Sequence, residues 1–244
     1  MSHKLSVAQL LGLSESHLVA MPCGNRMQSE AADAFARLQE DACNAGYQLK
    51  VASAFRSFER QAALWNGKVS GERPIHDDTG LPIHIEDLTQ HDLLHAILRF
   101  SALPGMSRHH WGTDVDVYDM GAVEPGYKVQ LTAEEVASGG IFDSFHCWLD
   151  ERMIADSSHG FFRPYARDMG GVAVERWHLS YAPVSVACAG QLTASVIRQC
   201  WDNCASEVKL HQELQENLSS IMRRYLAVEE NWCPKRYRRA PRST

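Results

Sequence analysis

Residues 107–119, SRHHWGTDVDVYD, hold the densest group of side chains in the sequence that could do metal chemistry. The alternation in GTDVDVYD predicts a strand with its valines on the core face and its aspartates on the other face. A carboxylate at Asp116 would then need a cation or several hydrogen-bond donors. His109 lies seven residues earlier, across a turn containing Trp111 and Gly112. A histidine and an aspartate arranged in this way form half of a zinc site.

A second segment could complete such a site. VERWHLSY, residues 174–181, offers the imidazole of His178 and the carboxylate of Glu175. Three protein ligands with an open fourth position are typical of catalytic zinc, and a nearby carboxylate can act as the general base. Residues three apart face opposite sides of an ideal strand, so this segment must bend if both side chains are to reach one site.

Three motifs in order resemble those of one enzyme family. SRHHWGTDVD resembles the S-x-H-x-x-G-x-x-x-D signature of the zinc D-Ala-D-Ala carboxypeptidases, the group that contains the vancomycin-resistance enzymes. ERWH resembles the second signature of that group, E-x-W-H, and SAFRS with the following Gln61 resembles its substrate-binding segment. The resemblance extends over about residues 53–181 and implies a small α+β fold shared with lysostaphin-type peptidases and the hedgehog signalling domain.

The resemblance also implies roles for individual residues. One zinc ion per chain would be held by His109, Asp116 and His178. Glu175 matches the general base, and Arg56 matches the arginine that meets the substrate and its developing oxyanion, a role suited to a guanidinium because it stays charged. Besides Arg56, two residues match positions that line the substrate site of the family, Gln61 and Ser107. Trp177 and Tyr181 are expected to form the wall of that site.

Two residues within the first motif are Asp114, which departs from the family pattern, and His110, which stands next to an expected ligand. The family usually has a small residue two positions before the aspartate ligand, whereas this sequence has Asp114, which we expect to orient a ligand from behind or to narrow the pocket. His110 could be mistaken for the ligand beside it, but the spacing to Gly112 favours His109.

The implied activity is hydrolysis of peptidoglycan stem peptides near D-alanine. D-Ala-D-Ala carboxypeptidase activity is the first expectation. L,D-carboxypeptidase and endopeptidase activities on muropeptides stay open, because the zinc chemistry would be the same. A zinc-binding module without catalysis, as the hedgehog resemblance allows, also stays open, although such a module would not need Glu175.

A rival metal site is HDLLH, residues 91–95, in which His91 and His95 lie four apart on a predicted helix. Asp92 stands where a zincin would have glutamate, and its shorter side chain reaches water less well. Without an evident third ligand, we interpret this segment as a solvated helix face.

The composition narrows the class of protein. Of the 244 residues, 45% are hydrophobic and 22% charged, which is typical of a globular chain, and the net charge of −6 does not favour nucleic-acid binding. No segment is apolar and long enough to span a bilayer, and the N-terminal residues lack a convincing signal-peptide core. We therefore expect a cytoplasmic protein with seven free cysteines, with a periplasmic location as the alternative. The sequence does not indicate an oligomeric state.

The mixture of elements predicts an α+β fold with a small antiparallel sheet that carries the zinc site and is flanked by helices. Periodicity predicts helices over 28–45, 56–68, 89–100 and 143–156, and strands over 47–55 and 112–119. Residues 71–88 are expected to form a loop, and VAVERWHLSYAP, residues 172–183, is expected to be extended. We expect a metallopeptidase domain over 1–188 and a helical C-terminal extension over 189–244 that packs on the same domain.

Overall fold

The computed structural model describes residues 4–204, 207–228 and 234–237. Helices and short antiparallel strands are mixed, which confirms the α+β class. The helices are α1 (Val7–Leu10), α2 (Ser29–Asn44), α3 (Phe58–Val69), α4 (Gln90–Leu98), α5 (Ala133–Val136), α6 (Asp143–Ile154), α7 (Ala182–Ala189), α8 (Ala194–Asn203) and α9 (His211–Ile221). The strands are β1 (Leu18–Ala20), β2 (Arg26–Gln28), β3 (Leu49–Ser53), β4 (Asp114–Asp119), β5 (Phe161–Phe162) and β6 (His178–Tyr181).

The central sheet has four strands in the order β3-β4-β6-β5, and every neighbouring pair is antiparallel. In the register of β4 and β6, Asp116 pairs with His178 and Asp114 pairs with Ser180. Because alternate residues of a strand share a face, this pairing gathers all four side chains on one face of the sheet. Val115, on the other face, is buried in the main core.

Helix α2 covers the core side of the sheet. Its apolar residues recur with the helical period, and the buried ones are Ala31, Ala34, Phe35, Leu38 and Ala42. The N-terminus of the helix is capped by Gln28, whose side chain accepts a hydrogen bond from the Ala31 amide at 2.9 Å. The rings of Phe35 and Phe161 of β5 meet edge to face at 6.0 Å, so this helix is fixed directly against the sheet.

The helices after residue 189 contact the rest of the chain closely. Ile197, Trp201 and Leu214 belong to the same cluster of buried residues as the core of α3. The indole nitrogen of Trp201 donates to the Pro104 carbonyl at 2.9 Å, and that of Trp65 donates to the Lys209 carbonyl at 2.9 Å. The domain boundary expected at residue 188 stays a prediction, and the part of the expected extension at residues 205–206, 229–233 and 238–244 lies outside the described residues.

Most predicted elements lie within a few residues of their expected bounds. The segment after His178 is the main difference, because the expected extended chain stops at Tyr181 and α7 begins at Ala182. Pro183 stands in the first turn of that helix, where its missing amide hydrogen costs no hydrogen bond. Free thiols are found at Cys23, Cys43, Cys147, Cys188 and Cys200, and Cys233 lies outside the described residues.

Candidate metal centre and active site

Three side chains from separate elements converge on the sheet face. His109 comes from a 3-10 turn over Arg108–Trp111, Asp116 from β4 and His178 from β6. One ligand atom from each lies within 4.8 Å of the others. His109 Nε2 is 3.4 Å from Asp116 Oδ2, and His178 Nδ1 is 3.2 Å from Asp116 Oδ1. All three residues are buried, so the cluster is not a chance grouping of surface charges.

The surroundings of Asp116 fit a bound cation. Its Oδ1 atom is buried without a hydrogen bond of good geometry, although His178 Nδ1 lies close by. A buried carboxylate oxygen without a donor is costly unless a cation meets it. Two imidazole nitrogens and one carboxylate oxygen form a usual donor set for zinc. The residues present therefore fit the metal.

The two histidines are held with one nitrogen facing the cluster. His109 Nδ1 lies 2.9 Å from the Ala54 carbonyl oxygen, which can only accept, so this nitrogen carries the proton and Nε2 keeps its lone pair for the site. His178 Nε2 lies 2.9 Å from Asp114 Oδ2, which leaves Nδ1 facing Asp116. Such partners behind a metal ligand fix its tautomer and ring orientation.

Asp114 is fully buried behind His178. Its Oδ2 atom also accepts from Arg108 Nε at 2.7 Å, while Oδ1 accepts from the hydroxyls of Thr113 at 2.7 Å and Ser180 at 2.9 Å. Burial alone would favour the neutral acid, but Arg108 and His178 outweigh it and lower the pKa of Asp114. The position therefore holds a carboxylate that orients His178 from behind.

Charge coupling within the cluster moves the pKa values in opposite directions. Burial disfavours the imidazolium of His178, yet the nearby carboxylates of Asp114, Asp116 and Glu175 raise its pKa well above the ordinary value. Burial likewise opposes ionisation of Asp116, but His109 and His178 lower the pKa of that carboxyl. The cluster thus presents ionised carboxylates that stabilise positive charge.

Glu175 reaches the same site because the chain turns just before β6. The amide of His178 donates to the Glu175 carbonyl at 3.1 Å, which closes a turn over residues 175–178. This turn is the bend that the spacing of the two residues required. Glu175 Oε2 then lies 3.3 Å from His178 Nδ1, on the side that faces the cavity.

Arg56 approaches the cluster from the end of β3. Its guanidinium donates to Gln61 Oε1 at 2.8 Å and to Ser53 Oγ at 3.2 Å. Burial lowers its pKa, while Asp116 and Glu175 favour its charge. Its backbone carbonyl accepts from His110 Nδ1 at 2.6 Å, so the second histidine of the HH pair positions Arg56 and not the metal. Burial lowers the pKa of His110 to about 3.

These groups line one cavity of about 250 Å³. Ser107 and Trp177 are in its wall, and their contact with substrate stays a prediction. Gln61 does not line it, because its amide is fully used behind Arg56, where Nε2 donates to the Ala102 carbonyl at 2.6 Å. Tyr181 does not line it either, because it lies three residues after His178, on the opposite face of β6, where its ring packs against Phe161 at 5.4 Å.

Sequence reasoning missed two residues of the site. Arg108 is buried beneath Asp114, and its guanidinium stacks over the Trp111 ring at 4.7 Å. Tyr165 lines the cavity with its ring 5.1 Å from that of His178, and burial raises its pKa to about 12. A buried carboxylate at Asp114 implied a cationic partner, which could have identified Arg108. No local pattern identified Tyr165.

The rival segment HDLLH does not form a metal cluster in the described part of the chain. Its histidines contact the C-terminal region instead, with His91 Nδ1 3.3 Å from Glu213 Oε1 and His95 Nδ1 2.7 Å from the Tyr225 hydroxyl. The interpretation as a solvated face was therefore wrong for His95, which is half-buried against that region.

The sequence model of the VanY family, described as D-alanyl-D-alanine carboxypeptidase, matches residues 24–184. The chain belongs to this family. The match covers more than half of the chain and includes every expected ligand, Glu175 and Arg56. Membership supports a zinc-dependent peptidase of peptidoglycan, and the buried cluster of two histidines and an aspartate agrees with a zinc cofactor.

Individual proteins are also similar to this chain. An uncharacterised protein of Haemophilus influenzae is 42% identical over 104 residues, which cover 41% of this chain and 71% of that protein. The structure of VanYB in complex with D-alanine-D-alanine is similar with a TM-score of 0.49 and 22% identity, covering 77% of this chain and 89% of that one. DacB from Streptococcus pneumoniae D39 has a TM-score of 0.42 and 20% identity, covering 77% of this chain and 82% of that one.

Proposed function

We propose that this protein is a zinc-dependent D-alanyl-D-alanine carboxypeptidase that removes the terminal D-alanine from peptidoglycan stem peptides. The observation that carries the proposal is the meeting of a buried ligand cluster, Glu175 and Arg56 in one cavity. A module that only stores zinc has no use for a carboxylate and a guanidinium aimed at the same space.

The metal would be held by His109, Asp116 and His178. When bound, zinc supplies Lewis-acid chemistry, which polarises a carbonyl group and lowers the pKa of water. Glu175 accepts the proton of the attacking water and returns it to the leaving amine nitrogen, a task for a carboxylate that faces the cavity next to the ligands.

Arg56 stabilises the negative charge that develops on the carbonyl oxygen, or holds the terminal carboxylate of the substrate. Its hydrogen bonds to Gln61 and Ser53 fix the guanidinium before substrate arrives, so little reorganisation is needed during the reaction. Trp177, beside the ligand His178, forms part of the wall against which the substrate packs.

The test compares the wild type with Glu175→Gln, and with Glu59→Gln as a matched control. Glu59 is an exposed glutamate of α3 outside the cavity. Bound zinc is quantified. Each protein is incubated with muropeptides ending in D-Ala-D-Ala, with muropeptides ending in a single D-Ala and with cross-linked muropeptides, and the products are identified by mass. We expect all three proteins to bind zinc, and Glu175→Gln to lose about 10²–10⁴-fold in rate, as for loss of a general base.

Each outcome assigns the activity. Release of D-alanine from the D-Ala-D-Ala substrate supports the proposal. Cleavage only of the substrate with a single D-Ala would identify an L,D-carboxypeptidase, and cleavage within cross-linked muropeptides would identify an endopeptidase. Zinc binding without hydrolysis of any of them would favour the binding module and refute the proposal.

The location is a separate proposal. No helix in the described part of the chain is long and apolar enough to cross a membrane. We keep the cytoplasm as the proposed compartment, in which the substrates would be recycled or precursor peptides, and the periplasm as the alternative. Fractionation of cells that express the native gene tests this, since recovery with periplasmic markers would contradict it.

A further inference from the structure

We infer that Tyr225, which lies beyond the segment matched to the family, limits the size of the substrate side chain next to the scissile bond. This inference rests on the proposed function. Tyr225 lines the same cavity as Arg56 and Glu175 and is only 7% exposed. The wall of this cavity also includes the apolar residues Leu98, Phe100 and Val172.

The ring of Tyr225 is held from the side by helix α4. Its hydroxyl lies 2.7 Å from His95 Nδ1, and the two rings stack with centroids 5.7 Å apart and planes 27° apart. One turn earlier, His91 Nδ1 lies 3.3 Å from Glu213 Oε1 at the start of α9. Both histidines of HDLLH thus attach the C-terminal helix to the domain that carries the ligands.

The backbone around Tyr225 is held just as closely. Tyr225 lies in a single π-helical turn, Met222–Leu226, that follows α9. Arg224 Nε donates to the Gly170 carbonyl oxygen, and a side chain at Gly171 would collide with the Arg224 carbonyl. Residues 170–173 lead directly to Glu175, so the turn that presents Tyr225 is fixed against the segment that presents the general base.

A fixed aromatic ring in a small cavity excludes large substrate side chains. The cavity volume of about 250 Å³ is below the roughly 300–1,000 Å³ of pockets that bind drug-sized ligands. A methyl side chain such as that of D-alanine suits such a space, whereas a larger side chain would have to displace Tyr225 and break its contacts with His95. Specificity would then depend on a residue outside the segment matched to the family, residues 24–184.

The experiment measures kcat/KM for acyl peptides ending in D-Ala-D-Ala, D-Ala-D-Phe and D-Phe-D-Ala. The variants are Tyr225→Ala, Tyr225→Leu and Tyr225→Phe. Leu218→Ala is the control, since Leu218 is fully buried in α9 but does not line the cavity. Tyr225→Leu keeps an apolar packing group and still shortens the side chain, so it serves if the alanine variant folds poorly.

We expect Tyr225→Ala to raise kcat/KM for one bulky substrate relative to D-Ala-D-Ala by about tenfold or more, because even one methylene in a pocket changes discrimination by that factor. Tyr225→Leu should act in the same direction, while Tyr225→Phe and Leu218→Ala should keep the wild-type ratio. Unchanged ratios in folded Tyr225→Ala and Tyr225→Leu, or the same change in Leu218→Ala, would overturn the inference. A wild type that cleaves none of the three peptides would instead refute the proposed function.

Discussion

Loss of the negative charge at Asp114 should weaken zinc binding although Asp114 is not a proposed ligand. We consider the substitution Asp114→Asn, which preserves the size of the side chain. The hydroxyls of Thr113 and Ser180 can turn to accept from the new amide, so one oxygen can still face His178 and Arg108. The substitution therefore removes charge with little change in shape.

Two magnitudes follow from the contacts of Asp114. Loss of a partner behind a metal ligand typically costs 10–100-fold in metal affinity, so we expect a decrease of at least about tenfold through His178. Arg108 is only 3% exposed and would lose its counter-ion. Removal of one partner of a buried ion pair costs about 3–5 kcal/mol, and the retained oxygen favours the lower end.

The assay has two parts, with Asp119→Asn as the control. Asp119 is buried on the same strand but caps the amides of Gln48 and Gly121, away from the cluster. Zinc affinity is measured by competition with a chromophoric chelator, and the free energy of unfolding by denaturant titration in zinc-free buffer. We expect both variants to lose stability and only Asp114→Asn to lose affinity.

A double variant separates the two effects. Arg108→Met combined with Asp114→Asn removes the unpaired guanidinium, so part of the lost stability should return while the zinc affinity stays low. If folded Asp114→Asn binds zinc as tightly as the wild type, the assignment of Asp114 as the group that orients His178 is refuted.

Four further predictions concern other parts of the chain. Gly112→Ala should lower the free energy of unfolding by about 1–2 kcal/mol or more, because Gly112 has φ +69° and a Cβ would lie 2.9 Å from the Gln28 amide nitrogen. The control Gly126→Ala has φ +92° but open space around the new Cβ, so it should show only the cost of the backbone conformation. Equal losses of stability in the two variants would contradict this prediction. Gln61→Met should lower kcat/KM by about tenfold or more and leave the zinc affinity unchanged, because the Gln61 side chain holds Arg56 and not the metal. A fall in zinc content would contradict that role. Burial and the charges of nearby arginines lower the pKa of His146 to about 2. The stability from its neutral form is therefore complete above about pH 6.5 and declines by about 1.4 kcal/mol per pH unit as the pH falls toward 2. Denaturant titrations from pH 7 to 4 should show a smaller decline in the free energy of unfolding for His146→Asn than for the wild type. Removal of zinc by a chelator should lower the melting temperature, by an amount equivalent to about 4 kcal/mol where the free zinc had been 1,000 times Kd, and an unchanged temperature would count against a metal in the fold.

The strands that carry the site could be predicted because their patterns are local. The alternation of valines and aspartates predicts β4, and it places Asp114 and Asp116 on one face without reference to the rest of the chain. The same argument required a bend between Glu175 and His178, and the structure has a turn there. The same alternation places Tyr181, three residues after His178, on the opposite face of β6.

The partners of those side chains could not be predicted in the same way. Gln61 was expected to touch substrate, but it lies behind Arg56 because the Ala102 carbonyl, 41 positions away, takes its other hydrogen bond. His95 resembled part of a solvated face, but Tyr225, 130 positions away, covers it. Contacts between such distant positions depend on how the elements pack, and no short pattern encodes them.

The sequence by itself determined the chemistry of this protein. The donor types, their spacing and the carboxylate beside them are properties of short segments and indicated a catalytic zinc site, and the resemblance of the three motifs to a known family indicated a peptidase. The tertiary structure decided which nitrogen of each histidine faces the site, that Arg108 neutralises Asp114, and that Tyr225 forms part of the cavity wall. The physical reason is the separation along the chain between the residues that interact. Backbone periodicity acts over a few residues, whereas burial, charge pairing and cavity shape depend on residues that only folding brings together.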